Sequence, residues 1–144
     1  MIENLMVTHL QTIEVMGGDI LHAMKKTDKG YVDFGEAYFS LLEYGAVKGW
    51  KRHQNMTLNF VVPKGKVRVV VYDDRKYSST FENFFEIVLS RDNYCRLTIP
   101  PMVWVGFQGL DSQDSILLNI ADIVHDPLEY DQIELNKIQY NWGD

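Results

Sequence analysis

The sequence predicts an all-β fold, a sandwich or a barrel, on three observations. Short runs of β-branched and aromatic residues recur at roughly ten-residue spacing. Gly, Pro, Asp and Asn punctuate them. Between them there are none of the amphipathic helical stretches that a parallel α/β fold needs. At 144 residues and 16.7 kDa, the chain is expected to form a single domain over 1–144. Its 46% hydrophobic and 12% aromatic content suits a packed core and argues against extended disorder.

Taken in order, Ala37–Leu42 is a mixed aromatic and aliphatic strand. Lys48–Gln54 is a polar, basic candidate strand. Leu58–Val62 and Val67–Asp73 are β-branched runs separated by Pro63-Lys64-Gly65-Lys66, which reads as a tight turn. Phe84–Leu89 follows, and Ser90-Arg91-Asp92-Asn93 turns the chain. Tyr94–Ile99 alternates, with Cys95, Leu97 and Ile99 on one face. Pro100-Pro101 breaks it. Met102–Gln108 is apolar and aromatic, and Ser115–Ile120 is the last clear strand. Leu128–Lys137 is the best helical candidate, short enough to cover only an edge.

Charge narrows the function. Fourteen basic against twenty acidic residues give −6 and a pI near 5.1, the wrong sign for a general nucleic-acid binder. No apolar run approaches the roughly 20 residues of a membrane helix, so no membrane partner is expected. The N-terminus lacks a basic region followed by an apolar one, so no signal peptide is expected. The single cysteine, Cys95, excludes an internal disulfide and suits a cytoplasmic protein.

The densest chemistry lies in Lys48-Gly49-Trp50-Lys51-Arg52-His53-Gln54. On a strand, Lys51 and His53 point the same way, into a pocket if that face is inward or to solvent if the strand is a basic edge. A cation beside an imidazole favours the neutral ring, which can take a proton. The triplet Lys51-Arg52-His53 supplies one imidazole where a metal-binding barrel has two, and His9, His22 and His125 are scattered, so no metal is expected. Lys64, Lys66, Arg68 and Arg75 could grip a diphosphate or simply solvate a hairpin. Arg68, Tyr72 and Asp74 share one strand face, unusual for a dry core. Trp50, Trp104, Phe107 and Tyr94 could stack on a base or fill the core. Glu36 could accept a hydrogen bond from a sugar hydroxyl.

From about Phe34 to Pro127, the chain resembles the dTDP-4-dehydrorhamnose 3,5-epimerases and their shorter relatives. The residues that carry this are Phe34, Glu36, Tyr38 and Ser40, then Lys48-Gly49-Trp50-Lys51-Arg52-His53. They continue with Asp73-Asp74-Arg75, Ser78-Ser79-Thr80-Phe81, Ile99–Phe107, Ala121-Asp122 and Asp126-Pro127. The resemblance implies a cupin-type jelly-roll β-barrel with a short C-terminal helix, no cofactor and a homodimer. It implies an isomerase of surface polysaccharide biosynthesis that acts on a nucleotide-linked 4-keto-6-deoxy sugar. Several family catalytic residues are replaced. Lys51 stands where the family's catalytic histidine stands, and His53 where it has glutamine. Leu118, beside Asn119, stands for its acid tyrosine, and Val105 for the histidine of its H-G-F element. The catalytic lysine falls near Leu58 or Asn59, and the carboxylate that partners the histidine is expected to be missing.

On this reading His53 is the base, Lys51 polarises the enolate, and Tyr72 or Tyr38 serves as acid. Glu36, Tyr38, Arg68, Asp74, Arg75, Trp104 and Asn119 are the expected substrate-binding residues. One base and one acid suit single-site epimerisation or keto-isomerisation better than double epimerisation. The alternatives are a cupin that binds a sugar nucleotide without turnover and a nucleotide keto-sugar isomerase.

Overall fold

In the computed structural model, which describes residues 1–143, twelve strands form two five-stranded antiparallel sheets and a small hairpin. In chain order they are β1 (Met6–His9), β2 (Thr12–Ile13), β3 (Ile20–Leu21), β4 (Glu36–Leu42), β5 (Val47–His53) and β6 (Leu58–Lys64). Then come β7 (Lys66–Tyr72), β8 (Phe84–Ser90), β9 (Cys95–Ile99), β10 (Trp104–Gly109), β11 (Ser115–Ala121) and β12 (Tyr130–Gln132). One sheet runs β1-β9-β6-β11-β4 and the other β12-β5-β10-β7-β8, with β2 and β3 paired apart. The all-β jelly-roll expectation holds.

Alternation explains the core. Val67, Val69 and Val71 of β7 face inward against Leu97, Ile99, Val105 and Leu117. Val70 faces outward yet is fully buried, because Trp50, Trp104 and the C-terminal residues Ile133, Leu135, Ile138, Tyr140 and Trp142 cover that face. A strand covered on both faces reads as a continuous apolar run. Pro63 lies inside β6 rather than in the expected turn. It sits where the β6–β11 register shifts, so its missing N–H costs no regular ladder bond. Gly65 alone makes the turn at φ +84, where a Cβ would also collide with Ser115.

The expected helix over Leu128–Lys137 does not form. Tyr130–Gln132 is strand β12, and only a 3₁₀ turn at Leu135–Lys137 remains. Leu128 is 92% exposed, so no apolar stripe is put to use. A helix this short is marginal by itself. The free edge of β5 offers backbone partners instead: Gln54 donates to the Glu129 carbonyl at 2.8 Å, and Ile133 to the Trp50 carbonyl at 3.1 Å. This pairing brings the C-terminal segment to the strand that carries Lys51 and His53.

Candidate active site

At the open side of the sandwich, between β4 of one sheet and β5 of the other, lies a cavity of about 510 Å³. Tyr38 and Ser40 enter it from β4, and Leu58 and Phe60 from β6. Val47, Lys48, Gly49, Lys51 and His53 enter from β5. Val105 and Phe107 of β10 and Gln132 of β12 complete it. The shared inward face expected for Lys51 and His53 is observed. A bulge shifts the β5–β10 register between Val105 and Phe107, so Lys48 lines the cavity as well.

His53 is 8% exposed, and its Nδ1 lies 2.6 Å from Glu129 Oε1. The other carboxylate oxygen, Oε2, accepts the backbone N–H groups of Asn55 at 2.8 Å and Met56 at 2.9 Å. Burial by itself would raise the Glu129 carboxyl, but the His53 bond and the two amides outweigh it and hold the group below the usual carboxylate range. An ionised carboxylate only accepts, so Nδ1 carries a proton, and in the neutral form of the ring Nε2 is the nitrogen with the lone pair. A carboxylate partner for the histidine is therefore present, contrary to the expectation. Sequence reasoning missed Glu129 because it fell within the supposed helix.

Lys51 is partly buried, and burial lowers its pKa while the Glu129 charge works against that shift. Its Nζ lies 4.3 Å from the centre of the Tyr130 ring. Across the cavity, Asn119 Nδ2 donates to the Tyr38 hydroxyl at 3.1 Å, leaving the phenolic proton free. Asn119 is fully buried, and its Oδ1 accepts the Asn59 amide at 3.2 Å. It does not line the cavity, where a direct substrate ligand was expected, and meets it only through the Tyr38 hydroxyl. Glu36 lies at the end of β4, where its carboxylate accepts the His125 amide at 2.5 Å.

The other expected site residues lie elsewhere. Tyr72 packs on Phe84 on the outer face of its sheet, and burial, then Glu82, Asp74 and Asp73, push its pKa up. Arg68 points out of the core too, donating to Gln108 Oε1 and the Trp142 carbonyl, both at 2.9 Å. Asp74 accepts from Trp104 Nε1 at 2.8 Å and pairs with Arg52 at 3.2 Å. The Arg52 guanidinium lies 4.6 Å from the Trp104 ring centre. Arg75 is buried against Asp73 at 2.8 Å and ties Glu3 to the loop after β7. The polar strand face noticed in the sequence is thus the face under the C-terminal segment. Among the described residues, no cluster of His, Cys, Asp and Glu could hold a metal ion.

The dTDP-4-dehydrorhamnose 3,5-epimerase family model matches residues 21–143. The chain belongs to this family. It is similar to a dTDP sugar isomerase of Desulfovibrio desulfuricans G20, at 36% identity and a TM-score of 0.94 over 98% of this chain and 92% of that one. It is 30% identical to the probable low-salt glycan biosynthesis epimerase Agl13 of Haloferax volcanii, over 79% of this chain and 72% of the relative. The spore coat polysaccharide biosynthesis protein SpsL of Bacillus subtilis is 25% identical, over 76% of each chain. Within this epimerase family fold, Lys51 and His53 both line the cavity, and His53 is the one whose ring pairs with a carboxylate.

Proposed function

We propose that the cavity epimerises a nucleotide-linked 4-keto-6-deoxy sugar for surface polysaccharide, by proton transfer next to the carbonyl. His53 Nε2 takes the proton, and the C–H electron pair moves into the enolate. Lys51 faces the developing oxyanion. The Tyr38 hydroxyl returns a proton to the opposite face of the carbon, and exchange with water resets both groups. The observation that carries this reading is the His53–Glu129 pair opening on the same cavity as Lys51 and Tyr38, with the latter on the facing sheet.

The test is incubation of dTDP-4-keto-6-deoxyglucose in heavy water, followed by NMR. The protein exchanges ring C–H for deuterium, and His53→Asn abolishes the exchange. Saturable binding with no exchange would instead make the chain a non-catalytic sugar-nucleotide binder. One base and one acid in the cavity also suit a keto-isomerase, which the carbonyl position in the product distinguishes. We place this activity in a cytoplasmic homodimer. Supporting that, Cys95 is a buried free thiol and no described helix is long and apolar enough to cross a membrane. The exposed edge and face of β4 suit a second copy.

A further inference from the structure

Among the described residues, Tyr130 is the aromatic ring in contact with both Lys51 and His53. It is the β12 residue directly opposite His53 in the ladder, so the two side chains share a face. Their ring centres are 5.7 Å apart. Lys51, diagonal to it, places Nζ 4.3 Å from the Tyr130 ring centre, within cation–π range. His125 stacks on the same ring at 5.6 Å. Two imidazoles and an ammonium thus surround one phenol ring whose hydroxyl makes no hydrogen bond among the described contacts. The ring therefore contributes its face rather than its oxygen.

Resting on the proposed proton transfer and deepening it, we propose that Tyr130 is a positioning residue that seats the Lys51 ammonium on its ring face beside the His53 imidazole. Without that seat a partly buried lysine has two exits. It can lose its charge, or its flexible stem can swing the ammonium out to water. Either exit empties the place opposite the enolate oxygen. The ring prevents both, because its quadrupole favours the charged form and its bulk fixes the stem.

On the strand of Lys51 are His53 and Lys48. Glu129 precedes β12 and opposes the loss of charge. On β12 itself, Asp131 points to the other face and is engaged by Arg52 at 3.0 Å. The facing residues of β4, β6 and β10 are Tyr38, Ser40, Leu58, Phe60, Val105 and Phe107, of which only the Tyr38 phenol titrates. Glu129 is the one acidic neighbour among them, and Tyr130 supplies the remaining attraction.

The test replaces Tyr130 by Phe, then by phenylalanines with successive ring fluorines, which keep the shape while withdrawing the negative face. The readout is the pH dependence of Lys51 acetylation by trace acetic anhydride, measured by mass spectrometry on the free protein. Tyr130→Phe matches the wild type. Each added fluorine moves the midpoint to lower pH, raising Lys51 labelling at fixed pH on the order of three-fold for a fully fluorinated ring. With keto-sugar present, kcat for exchange falls along the same series while KM holds. An unchanged or rising midpoint along the series overturns the proposal, whether or not exchange occurs. A falling midpoint with no exchange on any keto-sugar would retain the seat and overturn the epimerase reading instead.

Discussion

Glu129 is the residue on which the proposed chemistry leans hardest after His53. Its carboxylate fixes the ring through Nδ1 and is itself fixed by two amides, so the imidazole cannot rotate away or switch tautomer freely. Glu129→Gln keeps the shape but lets the amide donate to Nδ1, which moves the ring proton to Nε2 and removes the lone pair facing the cavity. The expected loss in exchange rate is about 10⁴-fold, the scale of the loss when the aspartate of a Ser-His-Asp triad becomes asparagine. The phenols divide cleanly. Tyr38→Phe removes the acid and should lower kcat about 10²-fold or more with KM little changed. Tyr72→Phe, on the outer face of its sheet, should leave the rate within about two-fold. Equal losses from both variants would show that Tyr38 is not the acid.

At the scale of elements, the strands were legible and their partners only in part. The period-two pattern located most of β4 to β11, and it put Lys51 with His53 on one face because alternation is a property of the backbone alone. It could not say that the Arg68–Tyr72–Asp74 face is covered by residues from the far end of the chain. Nor could it find Glu129, whose placement depends on β12 taking the free edge of β5, a pairing between segments about eighty residues apart. The short strands β1 to β3 carry too few residues to show a period. The loop between β7 and β8 shows the same kind of non-local dependence. Asp73 is fully buried there and accepts from Arg75, from the Ser78 and Thr80 hydroxyls, both at 2.6 Å, and from the Arg75 amide at 3.0 Å. Burial pushes its carboxyl up, but these donors outweigh it and hold it far below the usual range. A carboxyl lowered in the fold stabilises it above the unfolded pKa of about 3.9, and that contribution is lost as pH falls below this value. Asp73→Asn should therefore cost about 3–5 kcal/mol at neutral pH, because the Arg75 guanidinium is left buried without its counter-charge. It should also flatten the acid limb of stability, and urea melts from pH 7 to pH 3 would read both effects.

For the whole molecule, the open question is what covers β4. It ends its sheet, so one row of its backbone N–H and C=O groups has no strand partner. Its outward side chains are apolar: Phe39 is 65% and Leu41 60% exposed. Neighbouring β11 adds Ile116, Leu118 and Ile120, partly exposed on the same face. A long, flat, apolar edge left bare in a chain of this size invites aggregation, and charged or proline residues that would blunt it are missing from the middle of β4. A second copy related by a two-fold axis meets both needs at once, since an isologous contact presents the same strand and the same apolar patch to itself. Light scattering is then expected to give twice the 16.7 kDa of one chain. Phe39→Glu with Leu41→Arg is expected to shift it toward one copy. Since Tyr38 and Ser40 reach the cavity from the opposite face of the same strand, separating the copies should loosen β4 and weaken sugar-nucleotide binding as well. A wild-type mass of one copy at micromolar concentration would assign the β4 face to something other than self-association.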